Sequence, residues 1–148
     1  MKTILIIILA ILVFPHSAFA SDSGKASTDP EAHKIRMSFN GHEVIVTMFD
    51  TPASRDFLTL LPLNAEFTDY VGEEKITYLP KKLNTSDSPS ANEMQGDFTY
   101  FKPWGNLAVF YKGYGHGNQL AVLGRIDSGK DELARMSGSF TARIEKIE

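Results

Sequence analysis

An Asn-Gly pair between two alternating stretches, Asn40-Gly41, restricts the fold of this chain more than any other feature. Both central positions of a type I′ turn need a positive φ, which Asn and Gly adopt readily, so the pair predicts a β-hairpin within residues 34–49. Pairing across the turn places three residue pairs on one face: Phe39 with His42, Met37 with Val44, and Ile35 with Val46. That face is predicted to be core and the opposite face mostly solvated.

The patterns after the hairpin predict six more strands. They cover residues 63–69, 75–79, 97–102, 106–111, 119–126 and 140–147. The run at residues 106–111 is almost continuously apolar, which is typical of a central strand buried on both faces. With the hairpin, the total is about eight strands.

Two short helices complete the predicted elements. The first is capped by Asp50 or Thr51, has Pro52 in its first position and ends at Pro62. The second begins at Ser128 and ends at Gly138. Eight strands with two helical caps predict a mainly β fold, a closed eight-stranded barrel in which no strand edge stays exposed.

The N-terminus has the pattern of a secretory signal peptide. Lys2 precedes an apolar run at residues 4–14, and Ala18-Phe19-Ala20 provides a small-x-small cleavage site. The apolar run is too short to cross a bilayer, which takes about 20 residues. We therefore predict a signal peptide over residues 1–20, a flexible polar leader over residues 21–32 and a single barrel domain over residues 33–148.

The chain contains no cysteine, which excludes both a lipoprotein anchor and disulfides, so the core alone must hold the fold. The expected location is the periplasm of a Gram-negative source, or the medium for any other source. A formal net charge of −3 gives no electrostatic reason to expect nucleic acid or an anionic membrane as a partner.

Three stretches resemble the cyclophilin-like domain family of small bacterial proteins. They are residues 78–83 (YLPKKL), residues 96–100 with 103–111 (GDFTY and PWGNLAVFY), and residues 123–126 with Gly129 (LGRI and G). The resemblance extends over residues 34–148. It implies an eight-stranded β-barrel capped by two helices.

The resemblance implies less about activity. True cyclophilins isomerise X-Pro bonds with an aromatic-His-Arg segment, a downstream phenylalanine and a Gln-Gly-Gly-Asp run. Residues 94–97 (MQGD) echo only that last run, and the arginine has no counterpart before it. The resemblance therefore supports the fold better than the activity, and a non-catalytic role is favoured over isomerase activity.

Aromatic residues around the central strands form the candidate site. Tyr and Trp need a hydrogen-bond partner when buried, so a groove lined by them, beside a polar loop and a glycine-rich loop, suits a small molecule or an extended, proline-containing peptide. The alternative is that these rings pack in the core. The candidate ligand-binding residues are Tyr78, Met94, Gln95, Tyr100, Trp104, Tyr111 and His116.

Other kinds of site have little support in the sequence. The histidines lack metal-ligand spacing and no thiolate is available, so we expect no metal, and no cofactor motif occurs. Three functions stay open: a non-catalytic binding module, a peptidyl-prolyl cis-trans isomerase of the cell envelope, and an enzyme with an unrecognised site around His116, Arg125 or Glu74. No catalytic residue can be assigned.

Overall fold

The computed structural model describes residues 32–147. The predicted signal peptide and almost all of the predicted leader lie outside these residues. The elements, in chain order, are β1 (Lys34–Phe39), β2 (His42–Met48), α1 (Pro52–Leu58), β3 (Leu63–Tyr70), β4 (Glu74–Tyr78), β5 (Phe98–Phe101), β6 (Asn106–Phe110), β7 (Leu120–Ser128), α2 (Lys130–Arg135) and β8 (Phe140–Ile147).

The strands form a closed antiparallel barrel, in the order β1-β2-β7-β5-β6-β4-β3-β8. β8 pairs with β1 on one side and with β3 on the other, which closes the sheet. The predicted fold class is therefore confirmed. Within residues 32–147, no helix has the length and apolar composition that crossing a membrane would require.

The hairpin has the predicted register. Asn40 and Gly41 have φ values of 46° and 78°, as a type I′ turn requires. The three expected pairs face each other across the turn. His42 was predicted to face the core with Phe39, but it is exposed, whereas Phe39 is buried. Its imidazole is held at the surface, where Nδ1 lies 3.0 Å from Glu132 Oε2.

The helices are shorter than predicted. Thr51 caps α1, as one of the two predicted caps, and its side chain accepts the N–H of Ser54 at 3.1 Å, but the helix ends at Leu58. Ser128 belongs to β7, and Gly129, with φ 87°, precedes α2 without a side-chain cap. The predicted cap at Ser128 is wrong because the chain still follows the sheet there and turns only at the glycine.

The apolar side chains form two layers, one inside the barrel and one outside it. β6 is buried on both faces, as predicted: Leu107 and Val109 belong to the inner core, and Ala108 belongs to the outer cluster. The segment before β5 covers part of that outer face, where the Ala91 N–H donates to the Leu120 carbonyl at 2.9 Å. The outer cluster is the surface on which the candidate site lies.

At Gly129, just before α2, the backbone passes very close to the backbone of β2. A Cβ at Gly129 would collide with the Glu43 carbonyl oxygen and lie 2.9 Å from Val44 Cα, whereas Gly138, also left-handed at φ 69°, has no atom within 4 Å of the same position. We predict that Gly129→Ala lowers the free energy of unfolding by about 2–4 kcal/mol, since backbone atoms must move. Gly138→Ala should cost only about 1 kcal/mol, for the left-handed conformation alone.

Urea denaturation of the two variants measures this difference. Equal losses of unfolding free energy in the two variants would contradict the prediction, because they would mean that the backbone at Glu43 moves aside without cost.

Candidate functional site

A groove of about 380 Å³ lies on the outside of the barrel, over β4 and β6 and beside the loop that leads into β7. We call it the outer groove. It is lined by Tyr70, Glu74, Ile76, Phe101, Trp104, Asn106, Ala108, Phe110, His116, Gly117, Asn118, Gln119 and Leu120.

The strand register sets the order of groups along the groove floor. Glu74 lies opposite Phe110 and Ile76 lies opposite Ala108, while Asn106 lies opposite Tyr78. Glu74 and Asn106 are therefore four residues apart along the strands, or roughly 13 Å at about 3.3 Å per residue. The floor has a polar group near each end and an apolar middle.

Trp104 forms one side of the groove. Its ring meets Tyr70 edge to face at a centroid distance of 5.7 Å and Phe101 at 5.3 Å, yet 48% of its surface stays exposed. Tyr70 lies at the Glu74 end, because it pairs with Glu74, whereas Trp104 precedes Asn106 at the other end. Their ring contact forms this side of the groove.

The loop between β6 and β7 forms the opposite side and is held by hydrogen bonds. Asn92 accepts the Gly117 N–H at 2.9 Å and donates to the Asn118 side-chain oxygen at 2.8 Å. The Gly115 N–H donates to the Gly96 carbonyl at 3.2 Å. These bonds fix the segment that carries His116, although its glycines alone predict a flexible loop.

Asp97 anchors the other end of that loop. Its carboxylate is buried and accepts the Ile126 N–H at 2.7 Å and the Lys130 ammonium at 2.9 Å. Lys130 also donates to the Gly113 carbonyl at 2.8 Å and lies 4.7 Å from the centre of the Tyr114 ring. The loop is thereby tied to α2 and to the start of β5.

Two groove residues have buried polar atoms without a hydrogen-bond partner. In the part of the chain that the structure describes, these atoms are Glu74 Oε2 and Asn106 Oδ1. Burial, and to a smaller extent the neighbouring Glu73 charge, raise the pKa of Glu74 to about 7. Near neutral pH, Glu74 is therefore divided between its acid and its carboxylate.

The structure brings two of the seven predicted site residues into this groove, Trp104 and His116. Tyr78 shares the outer face but does not line the groove, and its side chain is 64% exposed. Met94 and Gln95 are exposed in the segment before β5, also outside the lining.

The remaining two predicted residues, Tyr100 and Tyr111, are held elsewhere. Tyr100 is only 2% exposed, in the core, where its hydroxyl oxygen accepts the Leu83 N–H at 3.2 Å. This placement corrects the expectation that Tyr100 lines a surface groove: its side chain points into the barrel. Tyr111 donates to Asp69 at 2.6 Å, and desolvation, together with that hydrogen bond, raises its pKa to about 12.

The sequence analysis missed Asn106 as a site residue and named Glu74 only for a possible enzymatic site. Both are the first residues of strands, where polar side chains are common and carry no special signal. Their alternation with Ile76 and Ala108 shows that they share a face with those residues, but only the pairing of β4 with β6 brings them into one groove. That pairing joins strands that are not consecutive in the chain.

Among residues 32–147, no group of three or more His, Cys, Asp or Glu side chains is arranged to hold a metal ion. The groove offers apolar contact, aromatic faces, one titratable carboxyl group, one imidazole and three side-chain amides, those of Asn106, Asn118 and Gln119.

Comparison with known proteins finds one matching family by sequence and a similar fold among solved structures. Residues 37–145 match the family described as the cyclophilin-like family. The solution structure of the hypothetical protein AF2241 from Archaeoglobus fulgidus superposes with a TM-score of 0.56 at 18% identity, covering 78% of this chain and 95% of that one. No curated protein matches the sequence. At this identity the structural likeness concerns the fold alone.

The raised pKa of Glu74 predicts a pH dependence of stability. The folded protein holds this proton up to about pH 7, whereas an unfolded glutamate releases it near its ordinary pKa, so stability falls as pH rises between the two values. Glu74→Gln should remove this fall. Because Glu74 is only half buried, we expect a gain of order 1 kcal/mol relative to wild type between pH 5 and pH 8.

Denaturation at the two pH values measures this gain, and NMR titration of the Glu74 carboxyl measures the pKa directly. Glu73→Gln serves as the comparison, since loss of its charge should lower the pKa of Glu74. A Glu74 carboxyl that titrates at the ordinary glutamate pKa would contradict the prediction.

Proposed function

We propose, from the premise that this chain belongs to the cyclophilin-like family, that it is a binding domain which holds a small molecule or part of an extended peptide in the outer groove. The proposal assigns the barrel the role of a scaffold. It assigns Trp104 the role of the main apolar contact.

The observation that carries the proposal is the pair of unpartnered polar atoms in an apolar groove. A buried donor or acceptor without a partner costs about 1–3 kcal/mol, and native proteins contain few of them. Glu74 and Asn106 both line the groove and each has one such oxygen. A ligand with hydrogen-bond donors would satisfy them, and the groove volume of about 380 Å³ suits a small ligand.

The fixed walls also support binding. Trp104 is held by two ring contacts and the facing loop by hydrogen bonds with Asn92. A site that is already ordered loses little conformational entropy when a ligand enters, which favours affinity. The predicted signal peptide adds to the proposal: export would bring the groove into contact with peptides and metabolites of the envelope or the medium.

Replacement of Trp104 by Ala should weaken ligand binding at least about tenfold, because a buried aromatic contact of this kind is worth about 1–3 kcal/mol. Tyr78→Ala is the matched control, since Tyr78 is an exposed aromatic residue on the same outer face that does not line the groove. Titration of ¹⁵N-labelled protein with proline-containing peptides and small metabolites measures both affinities.

Chemical-shift changes should cluster at the groove. Equal affinities of the two variants, or shift changes confined to another face, would contradict the proposal.

An isomerase has less support than a binding domain. Isomerisation in true cyclophilins uses an arginine, and the outer groove is lined by neither arginine nor lysine. Arg125, the arginine of the nearby strand β7, is exposed and lies outside the lining.

We expect a protease-coupled assay with an X-Pro peptide to give the uncatalysed rate even at high protein concentration. Acceleration that Trp104→Ala abolishes would instead establish an isomerase in this groove.

A further inference from the structure

We infer that the ligand of the outer groove is an organic cation, a protonated amine on an elongated apolar body, with its ammonium group beside Glu74. This inference rests on the proposed function and specifies the chemistry of the ligand. It follows from the charges that line the groove, from the unpartnered oxygens and from the spacing of the polar ends.

The charges of the lining select a cation over an anion. Glu74 is the one acidic residue among the groove residues, and the lining has no lysine or arginine to hold a carboxylate or phosphate. The rings of Tyr70 and Trp104 offer electron-rich faces, which attract ammonium groups. An anionic ligand would meet the Glu74 carboxylate without a lysine or arginine to compensate its charge.

The hydrogen-bonding requirement agrees with the charge. An ammonium group has three donors and no acceptor, so it matches a carboxylate oxygen that lacks a donor, and the resulting bond is charge-assisted. Glu74 Oε2 is such an oxygen. The terminal torsion of a glutamate is broad and roughly two-fold, so the carboxylate can turn toward a ligand at little cost.

The spacing of the groove sets the shape of the ligand. Between Glu74 and Asn106 the floor is formed by Ile76 and Ala108, which offer only apolar contact. An ammonium at Glu74 would thus be followed by an apolar body against Trp104, and a second hydrogen-bonding group would reach the Asn106 amide. The N-terminus of a peptide and a free aralkyl amine share this chemistry.

The ionisation of Glu74 makes binding depend on pH. A cation needs the carboxylate, so affinity should fall about tenfold for each pH unit below the Glu74 pKa. Burial puts that pKa at about 7. The titratable groups near Glu74 are Glu73 beside it, Tyr70 on β3 and His116 on the facing loop. A His116→Asn variant removes the imidazole, so a pH dependence of binding that remains in this variant belongs to the Glu74 carboxyl.

Trp104 is the single tryptophan of the chain, so its fluorescence reports on this groove alone. We would titrate the protein at pH 8 with 2-phenylethylammonium, with its neutral analogue 2-phenylethanol, and with the anion 3-phenylpropanoate. The expected result is that the ammonium binds at least about tenfold more tightly than the alcohol, as a charge-assisted hydrogen bond requires. The anion should bind most weakly.

Glu74→Gln should remove the preference for the ammonium over the alcohol, and a dispersed amide NMR spectrum shows that the variant is folded. Glu73→Gln is the matched control and should keep the preference. The affinity for the ammonium should fall from pH 8 to pH 5 in wild type and in His116→Asn, but not in Glu74→Gln.

The outcomes separate this inference from the proposed function. Equal binding of the three probes would overturn the inference and leave a groove that binds apolar ligands. A preference that survives Glu74→Gln would also overturn it. No binding of any probe would overturn the inference, and the broader titration with peptides and metabolites would then decide the proposed function.

A second pair of probes distinguishes the two sources of the amine. Phe-Pro-amide with a free N-terminus, but not its N-acetylated form, should bind if the groove accepts peptide ends. Binding of 2-phenylethylammonium without binding of the free peptide would restrict the ligand to small amines.

Discussion

The hydrogen bonds of the buried Asp97 carboxylate hold together the strands, the helix and the loop that surround the outer groove. An ionised group out of water is stable only when it is paired and hydrogen-bonded, so its two contacts, with the Ile126 N–H and the Lys130 ammonium, must form together. The Asp97 carbonyl also accepts the Phe110 N–H at 2.8 Å. One residue thus joins β5, β6, β7 and α2, and sets where the groove loop begins.

The outer groove exists because the sheet is covered only in part. The segment before β5 packs over the outside of β7, where Ala91 and Leu120 belong to the outer cluster. Over β4 the cover is missing, and Ile76 stays only partly buried. The apolar floor of the groove is therefore open to solvent beyond the segment that precedes β5, and the ring of Trp104 lies at its side.

The parts of the fold that were predictable from sequence rest on local signals. The Asn40-Gly41 turn determines the register of the hairpin, and continuous apolarity identifies β6 as a strand buried on both faces. The groove was predictable only in part, through Trp104 and His116. Two features depend on pairings between strands that are far apart in the chain: the face on which Tyr100 lies, and the shared groove of Glu74 and Asn106. No local pattern of a single sequence encodes such pairings.

The division into an inner and an outer layer has a consequence for how such a protein can change. Glu74, Ile76, Asn106 and Ala108 alternate along their strands with inward-facing residues such as Leu107 and Val109. Substitutions on the groove side therefore change side chains that lie outside the inner core. The same barrel can acquire a new ligand preference through a few outward positions, by natural divergence or by engineering, while the inner core keeps its residues.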